Sequence, residues 1–296
     1  METNKVYKNV SLTKFNSWKV GGKAENFVIC SDISFLCQLI KNKKVQRPIK
    51  FIGLGSNILV RDNEVKGTTI VMHKGLNNFF KEEELFYSEA GLSCSKFSKL
   101  IAKEGHSGSA FLSGIPGTIG GALAMNAGCY GSEIWSFVKK VKMINADGDL
   151  IERNPNEFKV GYRKIQKKNE AENFVGACFS FPKGKKLEAE ESIRKLLSHR
   201  KSTQPLSWPS AGSTFKNPDN NHAAKLIEDC GLKGFKIGDA KISEKHANFI
   251  INLGAARAKD IEDLIKYIKK IVFISIFFLQ FYPVFPRLFQ LFFKFH

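Results

Sequence analysis

A chain of 296 residues with 46 Lys+Arg against 28 Asp+Glu carries a formal net charge of +18 and is 43% hydrophobic. It is too apolar for a disordered tail protein, and long enough to divide into two or three domains, because single cores stop growing at roughly 250–300 residues. Twenty-four Gly against 9 Pro exclude collagen-like and proline-rich designs, and no repeat period is visible. The excess of base admits nucleic acid, an anionic membrane surface or anionic small molecules as partners. Lysine is spread along the chain (Lys41, Lys43, Lys44; Lys139, Lys140; Lys183, Lys185, Lys186) without a long basic run, which favours solvated surface lysine over a nucleic-acid footprint.

Cys30, Cys37, Cys94, Cys129, Cys178 and Cys230 form no C-x-x-C pair and match no zinc framework. Free thiols in a reducing compartment follow, with no metal site. The polar start, Met1 to Thr13, lacks the apolar core of a secretory signal, so a cytoplasmic location is expected.

In chain order, Ile33 to Lys41 spaces Phe35, Leu36, Leu39 and Ile40 as one face of a helix. The run PIKFIGLGSNILV, Pro48 to Val60, reads as a buried strand entering a glycine turn, and Thr68 to Met72 as a further strand. Ser93 to Glu104 predicts an amphipathic helix, and Val138 to Ile151 a hairpin turning at Asp147-Gly148. A charged helix, Glu188 to Lys201, leads into Thr203-Gln204-Pro205, a domain boundary. After Ser210 come a loop, a helix (His222 to Cys230), a turn (Gly231 to Gly238), a strand (Asn248 to Asn252) and a helix (Ala258 to Lys270). The fold class is α+β. Beyond Lys270 the texture breaks: the last 26 residues hold nine Phe and no acid, the last acid in the chain being Asp263.

Two glycine segments stand out. Gly53-Leu54-Gly55-Ser56-Asn57 follows a predicted strand, a context in which backbone N–H groups approach a pyrophosphate, but Ile58 breaks the dinucleotide fingerprint. Read alone, it is a tight structural turn. Ser113-Gly114-Ile115-Pro116-Gly117-Thr118-Ile119-Gly120-Gly121 is glycine-rich enough to bare a backbone surface to a flat or anionic ligand. Two such cradles favour a dinucleotide site. Ser213, in Ala211 to Pro218, reads as a turn or cap, and no G-x-S-x-G elbow makes it a hydrolase nucleophile. In a desolvated pocket such a hydroxyl can donate a proton. Arg163, after Tyr162, is the type of group that holds a carboxylate through two parallel bonds, although a lone Arg is more often a surface residue; His246 has the same standing.

Taken together, Trp18 to Ala24, Gly53 to Val60, Ser113 to Gly131, Tyr162-Arg163, Thr203-Gln204-Pro205, Ser210 to Pro218, Ala223 to Gly231 and Lys241 to Asn252 resemble, in order, the UDP-N-acetylenolpyruvoylglucosamine reductase family over about residues 1–270. The likeness is to its shorter type. The resemblance implies an FAD-binding fold of the vanillyl-alcohol-oxidase-like flavoprotein type in two subdomains (1–70 and 71–203) and a substrate-binding domain (204–270) for the UDP-sugar. It implies that NADPH reduces FAD, which passes hydride to the enolpyruvyl β carbon before the α carbon is protonated to give UDP-N-acetylmuramate, a peptidoglycan precursor. Ser213 matches the family's proton donor and Arg163 its catalytic arginine. Gly53, Leu54, Gly55, Ser56, Asn57 and Ile58, with Ser113, Gly114, Ile115, Pro116, Gly117, Thr118, Gly120 and Gly121, match its FAD contacts. Lys216, Asn217 and His246 fall where it lines the substrate pocket. The partners implied are small molecules, bound by a monomer.

The likeness fails at 271–296, where the family carries a Leu-Glu-Pro-Glu-like string with a third catalytic residue, a glutamate, and this chain has no acid. A frameshifted end of the reading frame, a membrane anchor and a refolded core strand compete as explanations of the tail. Membrane contact is expected only if the tail is a real anchor; Pro283, Pro286 and Arg287 interrupt it short of the roughly 20 residues a span needs. Two other classes stay open, a non-catalytic remnant that keeps ligand binding, and an oxidase of the same flavoprotein superfamily.

Overall fold

The computed structural model describes residues 1–281, which divide into two compact units between Gln204 and Pro205. The first unit opens with β1 (Val6–Ser11), β2 (Lys23–Ile29), α1 (Ile33–Lys41), β3 (Ile49–Ile52) and β4 (Val65–Val71). The strands form a sheet in the order β1-β2-β4-β3, antiparallel at β1/β2 and parallel at β2/β4 and β3/β4. The unbroken apolar run Phe27-Val28-Ile29 suits a strand covered on both faces. Phe27 and Ile29 pack with Leu12, Phe15 and Val71, whereas Val28 faces Leu36, Leu39 and Ile40 of α1. Asp32 caps α1, accepting from Phe35 N–H at 2.7 Å.

The rest of the first unit comprises β5 (Phe79–Glu82), β6 (Leu85–Glu89), α2 (Cys94–Lys103), α3 (Ile119–Met125), β7 (Gly128–Cys129), β8 (Ser132–Glu133), β9 (Val138–Ile144), β10 (Leu150–Arg153), β11 (Lys159–Gly161), β12 (Lys164–Gln166), β13 (Asn173–Phe179) and α4 (Lys186–Thr203). Five strands run antiparallel in the order β10-β9-β13-β6-β5, while β7/β8 and β11/β12 are separate small ribbons. An aromatic core of Phe86, Phe97, Phe179 and Phe181 lies against this sheet, with Phe97 and Phe179 ring centroids 5.0 Å apart. The hairpin predicted over Val138 to Ile151 is β9/β10, its turn held by Asn145, whose Oδ1 accepts from Asp147 and Asp149 N–H at 2.9 and 2.8 Å.

The second unit contains α5 (Ala223–Asp229), β14 (Lys236–Ile237), β15 (Ala240–Ile242), β16 (Ile250–Asn252) and α6 (Ala258–Phe281), with the strands in the antiparallel order β14-β15-β16. Two expectations need correction. The strand predicted from Asn248 starts at Ile250, because Phe249 N–H donates to the His246 carbonyl at 3.0 Å and keeps Asn248 and Phe249 in a turn. The helix predicted to stop at Lys270 runs on to Phe281. No Gly or Pro falls between Ala258 and Phe281, so no stop signal ends the ladder where the composition changes. Ile261, Leu264, Ile268 and Ile271 form one buried stripe that carries through the supposed boundary. A core strand is therefore excluded over residues 271–281, and the rest of the predicted tail, 282–296, lies outside the described residues. Among the described residues no helix is long and apolar enough to cross a membrane.

Candidate active site

β3 is a parallel strand, and Gly53 follows it directly, at the carboxyl edge of the sheet where open α/β sheets bind ligands. The loop cannot tolerate side chains there. A Cβ on Gly53 would stand 2.3 Å from Thr118 Oγ1, and Gly55, at φ +63°, would put one 2.1 Å from the Phe15 carbonyl. His73 Nδ1 bonds the Gly53 carbonyl at 2.8 Å, and Ser17 N–H donates to the Gly55 carbonyl at 3.1 Å, so the carbonyls are turned inward and engaged. Burial holds His73 below the usual histidine pKa, so it stands neutral. Among the described residues, the N–H groups of Leu54, Gly55, Ser56 and Asn57 have no acceptor in the protein.

The second glycine segment meets the first. Besides the Gly53–Thr118 contact, a Cβ on Gly117 would lie 3.5 Å from Ser56 Oγ. Here, however, the main chain is engaged: Gly117 N–H donates to Ile115 O, Ile119 to Leu92 O, Gly120 to Ala90 O and Gly121 to Thr118 Oγ1, at 2.9, 2.8, 2.8 and 3.4 Å. Ser113 Oγ donates to Ala110 O at 2.6 Å. Ser113 to Gly121 thus supplies a pinned wall with small residues, and Leu54 to Asn57 supplies the donors. Four neighbouring N–H groups without acceptors suit the two negative charges of a pyrophosphate, so the residues present fit FAD at this edge.

Tyr162 and Arg163 are the two-residue turn between β11 and β12, with Arg163 at φ +54°, in the left-handed region. Asn126, left-handed at the end of α3, donates from Nδ2 to the Gly161 carbonyl at 3.2 Å and to Glu133 Oε2 at 2.7 Å, which ties this ribbon to the glycine wall. The base of the same loop is clamped by Arg153, whose Nε and Nη2 donate to the two Glu172 oxygens at 3.1 and 2.6 Å. Asn154 N–H and Arg153 hold the Glu157 carboxyl below its usual range.

One functional candidate escaped the sequence reading. Arg200, near the end of α4, is half-buried, and its Nε donates to Gln204 Oε1 at 2.7 Å. Its Cδ lies 3.8 Å from where a Gly114 Cβ would be, and Cys129 Sγ lies 4.0 Å from the same point. Burial lowers its pKa, and burial pushes the Cys129 thiol up to about 11 despite the opposing charges of Arg200 and Arg163. Two guanidinium groups therefore share one field at the glycine wall. In sequence Arg200 is one more base on a charged helix; only its place beside Gly114 distinguishes it.

In the second unit, Ser213 is exposed and pairs as an isolated antiparallel bridge with Phe249. Lys216 and Asn217 follow it in the exposed loop, where Asn217 Oδ1 accepts from Ala223 N–H at 3.1 Å at the start of α5. His246 is half-buried with its ring 4.7 Å from Phe249, and burial lowers its pKa. Its Nδ1 accepts from Asn248 N–H at 3.3 Å, which places the proton of the neutral ring on Nε2.

Two family models match: the FAD binding domain over residues 26–154, and the C-terminal domain of UDP-N-acetylenolpyruvoylglucosamine reductase over 204–276. The UDP-N-acetylenolpyruvoylglucosamine reductase of Nitrosomonas eutropha is 44% identical over 268 residues, covering 87% of this chain and 81% of that one. The chain belongs to the UDP-N-acetylenolpyruvoylglucosamine reductase family. The enzyme of the same name from Methylococcus capsulatus is 44% identical over 259 residues, covering 87% of this chain and 85% of that one. The crystal structure of UDP-N-acetylenolpyruvylglucosamine reductase from Thermus caldophilus matches with a TM-score of 0.79 at 31% identity, covering 90% of this chain and 95% of that one. The expected α+β flavoprotein fold and FAD as cofactor stand on these findings. The family's C-terminal-domain model extends to residue 276, past the Lys270 boundary read from composition.

Proposed function

We propose that this chain reduces UDP-N-acetylenolpyruvoylglucosamine to UDP-N-acetylmuramate in peptidoglycan precursor synthesis, with NADPH as reductant and FAD held by its first unit. The observation that carries the reading is 44% identity to a relative of that name across 87% of the chain, a span that takes in both Arg163 and Ser213. Bound FAD supplies a two-electron carrier between NADPH and the enolpyruvyl double bond. Residues 1–70 and 71–203 hold it, with Leu54 to Asn57 donating to the pyrophosphate and Ser113 to Gly121 forming the wall. Arg163 holds the substrate carboxylate through two parallel hydrogen bonds and stabilises the negative charge that develops beside it. Ser213 donates the proton that the α carbon takes up. Residues 204–270 take the UDP-sugar, with Lys216, Asn217 and His246 lining its pocket. The chain works in the cytoplasm as a monomer.

A second reading, impaired turnover with ligand binding retained, is favoured by one observation: no Asp or Glu follows Asp263. Loss of one preorganised catalytic group costs about 10²–10³ in rate. Purified protein should be yellow, release intact FAD on denaturation and consume NADPH when the enolpyruvyl sugar is added. A colourless protein that cannot be reconstituted with FAD overturns the proposal.

A further inference from the structure

The turn that carries Ser213 has little structure of its own. It runs through an exposed loop, and the residues that fix it come from more than thirty positions further along the chain. Asn248 is only 3% exposed. Its side-chain amide grips the main chain of one residue on both sides: Oδ1 accepts from Phe215 N–H at 2.8 Å, and Nδ2 donates to the Phe215 carbonyl at 2.9 Å. Its own carbonyl accepts from Thr214 N–H at 2.8 Å. Three bonds from one buried residue thus hold the three successive peptides that follow Ser213, while the Ser213–Phe249 bridge fixes the residue itself.

Asn248 is in turn held from behind. Its N–H donates to His246 Nδ1 at 3.3 Å, and the loop it sits in is closed by Ser243 N–H on the Phe249 carbonyl at 2.8 Å. Ser243 Oγ accepts from Lys245 and His246 N–H at 3.2 and 3.4 Å. A buried amide that satisfies both its donor and its acceptor on the main chain of a single distant residue has one geometry available, so it transmits the rigidity of the 243–249 loop to an otherwise exposed turn.

We propose that Asn248 is a positioning residue for Ser213: it touches no substrate, and it sets where the hydroxyl stands when the proton is delivered. This rests on the reading of Ser213 as proton donor given above. A misplacement of about 1 Å can cost on the order of 10²-fold in rate, whereas a group that only supports the second unit would lower stability without singling out one half-reaction.

The test uses the full chain with FAD bound. In Asn248→Ala, hydrogen exchange in the peptide covering residues 210–218 should quicken by about tenfold or more as the clamp opens, with peptides of the first unit unchanged. Flavin reduction by NADPH should keep its rate, and reoxidation by the enolpyruvyl sugar should slow by on the order of 10²-fold. In a Ser213→Ala background the same change should add less than about twofold, because residues acting as a unit are non-additive. Unchanged exchange over 210–218, equal slowing of both half-reactions, or losses that multiply in the double variant each overturn the proposal. Should Asn248→Ala fail to fold, Asn248→Asp decides by the same readings: it keeps the acceptor for Phe215 N–H and sets a carboxylate oxygen against the Phe215 carbonyl. If Ser213→Ala leaves reoxidation unchanged while exchange over 210–218 quickens in the Asn248 variants, the donor reading of Ser213 falls and the clamp stands. If Ser213→Ala slows reoxidation while the Asn248 variants alter neither exchange nor rate, the clamp alone falls.

Discussion

In the proposed reaction Ser213 and the Gly53 loop have different roles, and each makes a separate prediction. Ser213→Ala should leave flavin reduction by NADPH intact and slow reoxidation by the sugar, where positioned acid catalysis contributes about 10²–10⁴-fold. Stopped-flow traces at the flavin band separate the two halves, and equal slowing of both rejects the assignment. Gly53→Ala drives a methyl group to 2.3 Å from Thr118 Oγ1, so the Thr118 side chain or the Gly53 loop must shift. FAD content of the purified variant should drop sharply, and full FAD occupancy would show that the contact does not shape the cradle. His73 and His246 supply a pH prediction. Burial lowers both, so they are neutral in the fold, while the unfolded chain protonates them near the ordinary 6.5. Below that pH the unfolded state binds protons that the native state refuses. Stability should therefore fall as pH drops through about 6.5 toward their lowered values, and His73→Gln should flatten that slope in urea melts run from pH 8 to 5. A slope unchanged by the substitution would place the proton uptake elsewhere. At this scale the sequence exposes chemistry only where neighbours in the chain carry it. The glycine loops are legible because their constraint is local, while Arg200 is not, because its meaning comes from Gly114, more than eighty residues away.

Elements show the same division between local and distant causes. α1 and α2 are legible from apolar spacing and from Asp32 and Ser93, whose side chains cap them, Ser93 accepting from Lys96 N–H at 3.3 Å. β1 and β13 are not, since a strand is defined by its partners, and β13 finds its partners in β6 and β9, far off in sequence. The end of α6 is illegible for a different reason. A change of composition at Lys270 is not a stop signal, and Phe and β-branched residues lower helix propensity without ending a ladder that tertiary packing supports. The buried stripe Ile261, Leu264, Ile268 and Ile271 makes α6 one element across that boundary. Leu264, fully buried, should cost about 2–5 kcal/mol on replacement by alanine, read as destabilisation of the second unit, with FAD retention by the first unit largely unaffected. Loss of bound FAD to the same degree would mean that the flavin site depends on α6.

For the whole molecule, the net charge of +18 suits a protein whose proposed ligands, FAD, NADPH and a UDP-sugar, are all polyanions. Fold and family were legible because long local strings recur in order along the chain. The geometry that gives those strings their roles was not, since the acceptor-free N–H groups of Leu54 to Asn57, the Asn126 tie and the Asn248 clamp arise only when distant segments meet. The absence of any acid beyond Asp263 is a departure from the string that the family resemblance implies, and the proposed impairment rests on it. An anaerobic stopped-flow experiment at the flavin band tests the whole account most directly. The protein is reduced with NADPH and mixed with UDP-N-acetylenolpyruvoylglucosamine, beside a variant in which residues 271–296 are replaced by a family-type ending that restores the glutamate. The account predicts that NADPH bleaches the flavin in both and that the sugar restores its colour in both, about 10²–10³-fold more slowly in the present chain. A flavin that NADPH does not bleach, or whose colour returns no faster with the sugar than without it in either protein, would contradict it.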